Sequence, residues 1–419
     1  MKTLFISGTR PYPPRGGSPL RAWQNIRVLA TRGPVSVFSI GERIEGADTM
    51  PGIERWIHIN EDDYPERTLA GLARVGKLVR PRQFPLPNDH ITGELNRRLR
   101  GFIDEIRPDI VVLSGWTASV PDAVRRFPRL VVDAHNVESL LQEELLQVRE
   151  PPIGLVRRLQ LLRFRQHERA LFRQAARVWV CSRDDAGALR RLGTGLPEPV
   201  IWPNVVDVDA YADVRSGRIS APKGVPAGPP TIVFVGSYQY APNARAAEAL
   251  IETIFPLVLA REPAARLLLV GKPPTQRMID AAKRDPRVVV TGSVDDVRPY
   301  LGVASVSAVA LTEGGGTRLK ILEAFAAGIP VVSTSKGAEG IAAEHGREIL
   351  LADTSEAIAQ AILDVFARPE RYQQQAAAAL ALVRDTYSLE TLQRRLVDAL
   401  PPLETTNVPS QRSVASLTT

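Results

Sequence analysis

Between Gly314 and Val332 the chain reads GGGTRLKILEAFAAGIPVV, and the residue types in this stretch are unusual neighbours. Gly314, Gly315 and Gly316 lead into Thr317, Arg318, Leu319 and Lys320, and one carboxylate, Glu323, sits inside the apolar run that follows. Glycines let a backbone crowd against a ligand that a Cβ would exclude and adopt positive φ. Thr317 has the chemistry of an N-cap, Arg318 to Ala327 has helical spacing, and Gly328 followed by Pro330 closes the element. A helix start by itself favours acidic residues, so Arg318 and Lys320 beside exposed amides call for an anionic ligand such as a phosphate. The plain structural alternative is a glycine loop in front of a buried helix, with Glu323 a satisfied core carboxylate.

The elements that would position such a site are legible as short apolar runs alternating with longer helical patterns. TLFIS, VSVFSI, DIVVLSG, LVVDAHN, ARVWVCS and PVIWPN occupy the first half, and TIVFVG, ARLLLVG, RVVVTG, VSAVAL, IPVVST and EILLA the second. Continuous apolar strands separated by amphipathic helices indicate parallel βαβ units with both faces covered. Between the two series lies SGRISAPKGVPAGPP, rich in Pro, Gly and Ser, which reads as a linker. The expected organisation is an N-terminal doubly wound domain over 1–215, a linker over 216–230 and a second such domain over 231–385. A helix over 386–400 and a disordered tail over 401–419 complete the chain. Ligands of open α/β sheets bind beyond the carboxyl ends of the strands, which singles out Gly8, Gly115, His135, Ser182, Asn204, Gly236 and Gly271.

Composition narrows the function classes. The 419 residues suit two domains, and 44% apolar with 24% charged residues is the balance of a water-soluble globular protein. No run has the length of a membrane span and the apolar run at the start is too short for a signal-peptide core, so the expected location is the cytoplasm. The single Cys181 excludes an internal disulfide, and with five histidines no zinc-type cluster forms. A net charge of +7 favours acidic partners, but with aromatics at 6% and no basic stripe interleaved with stacking rings, nucleic acid is not indicated. The DVD at 207–209 matches a metal-binding pattern by letter only, and no metal is expected. His167 and Glu168 fall on an arginine-rich helical pattern and read as a solvated face. That pattern, REPPIGLVRRLQLLRFRQHERALFRQAAR, and the earlier GLARVGKLVRPRQF combine leucines with arginines, and a basic amphipathic surface of this kind can dock on anionic lipid at the inner face of a membrane.

Taken in order, PPRGGSPLRAW, DAHNVES, VCSRDDAGAL, WPNVVDVDAY, FVGSYQYAPN, TGSVDDVRPYL and GTRLKILEAFAAGIPVVST resemble the GT-B glycosyltransferases of family 4, over about residues 1 to 400. The resemblance implies two Rossmann-like parallel-sheet domains facing across a cleft. It also implies transfer of a sugar from a UDP- or GDP-sugar with retention at the anomeric carbon, without a cofactor. By position, Glu323 matches the second Glu of the EX7E motif, a ribose contact, and 316–319 match the loop and helix start that receive the diphosphate. Gly16 and Gly17 match the glycine pair approaching from the other domain, and His135 the histidine near the reacting centre. The eighth residue before Glu323 is Gly315, where the family has its first Glu; either Glu313 fills that role or the sugar contact is altered. GSYQYAPN lacks the basic pair found in relatives, and Arg318 and Lys320 could supply its charge. The acceptor implied is a surface polysaccharide, a glycolipid or a small molecule. A nucleotide-sugar epimerase and a catalytically weak GT-B scaffold are the alternatives.

Overall fold

The computed structural model describes residues 1–14, 16–41, 45–46, 49–59, 89–115, 122–149, 154–225, 228–315 and 318–402. Gly316, Thr317, residues 42–44, 47–48 and 60–88, which include the GLARVGKLVRPRQF segment, and residues 403–419 lie outside these residues.

Among the described residues the strands are β1 (Thr3–Ser7), β2 (Val35–Ile40), β3 (Ile53–Ile59), β4 (Ile110–Ser114), β5 (Leu130–Ala134), β6 (Arg177–Val180) and β7 (Pro199–Ile201) in the first sheet. The second sheet holds β8 (Thr231–Val235), β9 (Arg266–Val270), β10 (Val288–Val290), β11 (Val306–Val309), β12 (Val331–Ser333) and β13 (Leu350–Leu351). The strand orders are β3-β2-β1-β4-β5-β6-β7 and β10-β9-β8-β11-β12-β13. Every pairing is parallel, so the same doubly wound order occurs twice. β1, β2, β4 and β5 are buried at every position, as continuous apolar runs require when helices cover both faces. In both sheets the order reverses beside the first strand, and a crevice opens there at the carboxyl ends.

The helices that follow these strands include α1 (Gly17–Ala30), α2 (Glu138–Arg149), α3 (Leu155–Gln174), α4 (Arg183–Leu192), α5 (Ala241–Ala249), α6 (Leu319–Ala327) and the terminal α7 (Leu389–Ala399). Leu389, Leu392, Leu396 and Ala399 of α7 are buried with Trp179 and Trp202 in the core of the first domain. Trp179 Nε1 also donates to the Ala399 carbonyl at 2.9 Å.

The passage between domains differs from the sequence expectation. Val205 belongs to the first domain's core, whereas Val206, Val208, Tyr211 and Val214 belong to the second's, so the crossing falls at 205–206 and not at 216–230. Pro, Gly and Ser there marked a loop on the second domain, into which Val225 is buried, because spaced apolar side chains anchor the segment that precedes it. The return crossing is adjacent: Val206 N donates to the Tyr387 carbonyl at 2.8 Å, and Val206 bridges Ser388 in parallel. Glu168 is corrected as well. It is fully buried, and its carboxylate accepts from the Glu138 and Ser139 amides at 2.8 and 3.2 Å, capping the start of α2; His167 is exposed. Burial pushes the Glu168 carboxyl up to about 7 against those hydrogen bonds.

Candidate active site

The first wall of the crevice grows from the end of β5. Asp133 is fully buried in a strand that is otherwise apolar, and its Oδ1 accepts from Arg21 Nε of α1 at 2.9 Å. Oδ2 accepts from Asn25 at 2.9 Å and from the Ser114 hydroxyl at 2.7 Å. Burial alone would raise this carboxyl, but the Arg21 guanidinium and then His135 outweigh it and hold it well below the usual carboxylate range. His135 follows two residues later, with Nε2 at 3.3 Å from Asp133 Oδ2 and 3.1 Å from Ser114 Oγ. Its Nδ1 lies 3.3 Å from Ser18 Oγ, next to Gly16 and Gly17. A carboxylate beside Nε2 calls for a proton on that nitrogen, and Nδ1 is turned toward the glycine pair. Gly115 sits under the ring at positive φ, and a Cβ there would fall 3.0 Å from His135 Cε1.

Asn204 completes this network rather than reaching the crevice: it is 7% exposed and its Oδ1 accepts from Arg21 Nη1 at 2.7 Å. Gly16, at φ 104°, is the N-cap of α1, and nothing crowds the position of its missing side chain. Gly17 faces the other domain, with Leu319 Cδ1 3.6 Å from where its Cβ would be.

The second wall is the glycine loop and α6. Gly314 adopts φ 91°, and a Cβ there would overlap the Tyr240 hydroxyl, which also accepts from the Gly315 amide at 3.1 Å. Across the crevice, the position of a Gly315 side chain lies 3.2 Å from Asn136 Oδ1. Helix α6 starts at Leu319, one residue later than expected, with Arg318 as its N-cap and Gly328 closing it in the left-handed region at φ 73°.

Arg318 does not stand at the helix start as a cation awaiting a phosphate. It is 5% exposed, and its guanidinium donates to the carbonyls of Gly315 and Gly314, both at 2.7 Å, and of Lys336 at 3.2 Å. Three carbonyls in reach of one planar fork make it the brace of the glycine loop. Lys320 is placed differently. Its Nζ donates to Asn243 Oδ1 at 2.7 Å, lies 4.2 Å over the Phe234 ring, and stands 3.3 Å from the position a Gly236 Cβ would take. Desolvation, then repulsion from Arg318, pushes this amine down to about 7, with Glu323 opposing.

Glu323 lies one helical turn beyond Lys320, half-buried, and accepts from the Tyr211 hydroxyl at 2.9 Å. Burial raises its carboxyl, and Tyr211 and Lys320 offset part of that rise. Glu313 is buried and forms an ion pair with Arg245 of α5. Asp207 of the DVD pairs with Arg27 at 3.0 Å.

The walls meet in a cleft of about 150 Å³ lined by Asn136, Leu141 and Glu144 on one side and Gly315, Lys336 and Glu339 on the other. Lys336 Nζ bridges them, at 3.0 Å from Glu144 Oε1 and 2.7 Å from Glu339 Oε2. Thus Gly315 and Asn136 face each other across the cleft, Gly17 meets Leu319 of the other domain, and Lys320 stands against Gly236 one turn before Glu323, whereas Asn204 and Arg318 are turned into buried networks. Sequence reasoning missed Asp133, Arg21, Tyr211, Tyr240 and Lys336. A charge inside the strand run LVVDA, and another on the apolar face of α1, were the available signals for the first two.

Two parallel-sheet domains wound in the same sense, of seven and six strands, are the architecture of the GT-B class of α/β protein. The particular family follows from its sequence: a glycosyl transferase 4-like domain matches residues 16–204 and a glycosyl transferases group 1 domain matches residues 229–368. The chain belongs to this glycosyltransferase family. No curated protein matches the sequence. Among solved structures, sucrose-phosphate synthase from Thermosynechococcus elongatus is similar at 18% identity, covering 95% of this chain and 98% of that one, with a TM-score of 0.70. Anabaena Alr3699/HepE in complex with UDP-glucose matches at 16% identity over 95% and 98% of the two chains, TM-score 0.66. WaaG, a glycosyltransferase involved in lipopolysaccharide biosynthesis, matches at 17% identity over 95% and 99%, TM-score 0.61. At these identities the likeness establishes the fold.

Proposed function

We propose that the chain transfers a sugar from a UDP- or GDP-sugar to a hydroxyl acceptor, with retention and without a metal. The observation that carries this reading is the placement of Lys320 beside Gly236 and over the Phe234 ring, one turn before Glu323 in the helix that follows the glycine loop. Transfer builds negative charge on the departing diphosphate, and stabilising it is the main electrostatic task. Lys320 and the first amides of α6 meet that charge where Gly236 and Gly315 permit close approach, so a divalent ion is not required. Glu323, with Tyr211 fixing one of its oxygens, takes the ribose hydroxyls. The HepE structure with UDP-glucose supports a nucleotide-sugar donor.

On the opposite side His135 faces the sugar and the acceptor, held by Asp133 and Ser114. Retention is read as front-face attack in which the leaving phosphate takes the acceptor proton; the two carboxylates that face each other across the cleft, Glu144 and Glu339, are both held by Lys336 and are given no part as nucleophile or acid. The acceptor is a saccharide, a lipid-linked saccharide or a small molecule. Titration calorimetry with UDP, GDP and ADP in the presence of EDTA tests the reading. Tight binding of one nucleotide is expected, and binding of none would overturn it. The pairing of Glu313 with Arg245, where a sugar-contacting carboxylate is expected, favours a second reading, a nucleotide-sugar binder with weak turnover. Donor consumption dependent on an added acceptor separates the two, and conversion of donor without acceptor would indicate an epimerase.

A further inference from the structure

Large apolar side chains that face solvent are few among the described residues, and three of the six sit on one helix: Leu155, Leu159 and Leu162, exposed at 74, 47 and 54%. Their spacing places them on one stripe of α3, opposite the stripe of Phe164, Leu171 and Phe172 that enters the core. The helix carries six arginines and a single glutamate, Glu168, which is buried and spent on capping α2. Arg158 and Arg163 are exposed beside the leucines. Solvent therefore sees leucines rimmed by positive charge and no carboxylate of this helix. Scattered exposed leucines need no explanation, but a helical stripe of them edged by cations does.

We propose that the exposed face of α3 docks on an anionic membrane surface, the leucines entering the headgroup boundary and the arginines meeting lipid phosphates. Charge complementarity selects this occupant: an apolar stripe bordered by arginines suits an interface with acyl chains below and anionic headgroups around it, whereas a second copy of this chain would set cation against cation. The helix lies in the membrane plane and does not cross it; no helix among the described residues is long and apolar enough to span a bilayer. Its position joins docking to the crevice. α3 packs on α2, Arg165 pairs with Glu143 at 2.6 Å, and the next residue, Glu144, lines the cleft and meets Lys336. One helix, α2, thus lies between α3 and the cleft, the two helix axes about 8–10 Å apart.

Flotation of the full chain with vesicles of phosphatidylcholine alone, and of phosphatidylcholine mixed with phosphatidylglycerol, tests this without nucleotide, so its outcome is independent of the proposed transfer reaction. Binding to the anionic vesicles only, weakened by salt, is expected. Exchanging Arg158 and Arg163 together for Ser should lower the partition coefficient about 25-fold. The pair Leu159→Ser and Leu162→Ser should lower it at least about tenfold. The leucine double variant should keep the melting temperature, since Leu159 and Leu162 are exposed. Equal binding to both vesicle types, or leucine variants that partition as wild type, would overturn the proposal. So would a dimer in light scattering that the leucine variants dissolve.

Discussion

The two walls of the crevice handle buried charge in opposite ways. On the first, Asp133 is matched by Arg21, Asn25, Ser114 and His135, and each carboxylate oxygen has partners within 3 Å. On the second, Lys320 has one amide oxygen and the face of a ring, and Glu323 has one phenol. The pKa directions follow: the matched carboxylate is driven down, the undermatched lysine down and the undermatched glutamate up, so one wall favours its charged form and the other resists it. A finished network fixes geometry. An unfinished one holds electrostatic free energy in reserve for a ligand that supplies the missing partner.

Breaking the finished wall should have the largest effect. Asp133→Ala leaves Arg21 buried without its counter-charge and should cost about 3–5 kcal/mol of stability, measured by chemical denaturation. A loss under about 1 kcal/mol would mean the network is not the rigid partner supposed here. The unfinished wall should respond the other way round. Lys320→Met should leave stability unchanged or raised while weakening nucleotide diphosphate binding about 10- to 100-fold by calorimetry, the range for a hydrogen bond to a charged group. Unaltered affinity would remove Lys320 from the diphosphate site. Glu323→Ala should raise the donor dissociation constant about tenfold with the fold intact, and Tyr211→Phe should do so less, having lost only the group that orients the carboxylate.

The smallest effect is in protons. Lys320 titrates near 7 in the folded chain and at its ordinary higher value when unfolded. Between those values the unfolded chain binds more protons, so this group's contribution to stability rises with pH across the window and is constant above it. A bound diphosphate should return the proton. Binding at pH 8 should therefore take up a fraction of a proton, seen as a heat that depends on the buffer's ionisation enthalpy, and Lys320→Met should abolish that dependence. Identical heats in all buffers would show that the amine is charged before the ligand arrives.

Much of this architecture was legible because parallel sheets buried on both faces impose a simple code. TLFIS and VSVFSI are strands at the residues read from sequence. IERWIHI escaped notice for the reason the others were found: β3 is an edge strand whose exposure varies along its length, with Glu54 and Arg55 facing solvent. The site was half legible. Spacing singled out Gly17, Gly236, Lys320 and Glu323, and the fold sets Gly17 against Leu319 and Lys320 against Gly236, since glycines and helical turns have local rules. It failed for Arg318, because whether a guanidinium reaches out to a ligand or back to its own loop depends on three carbonyls that only the folded chain gathers. The domain boundary failed similarly: composition detects a loop but not which core its valines enter.

The crossings at Val206 and Ser388 have a mechanical consequence. Two bodies tethered once can swivel in any direction, but here the outgoing and returning chains run side by side and are stitched by a backbone hydrogen bond. Two neighbouring tethers define a line. Motion of one domain against the other is thereby restricted toward rotation about that line, as a door is restricted by a pair of hinges, and the walls can part and meet again.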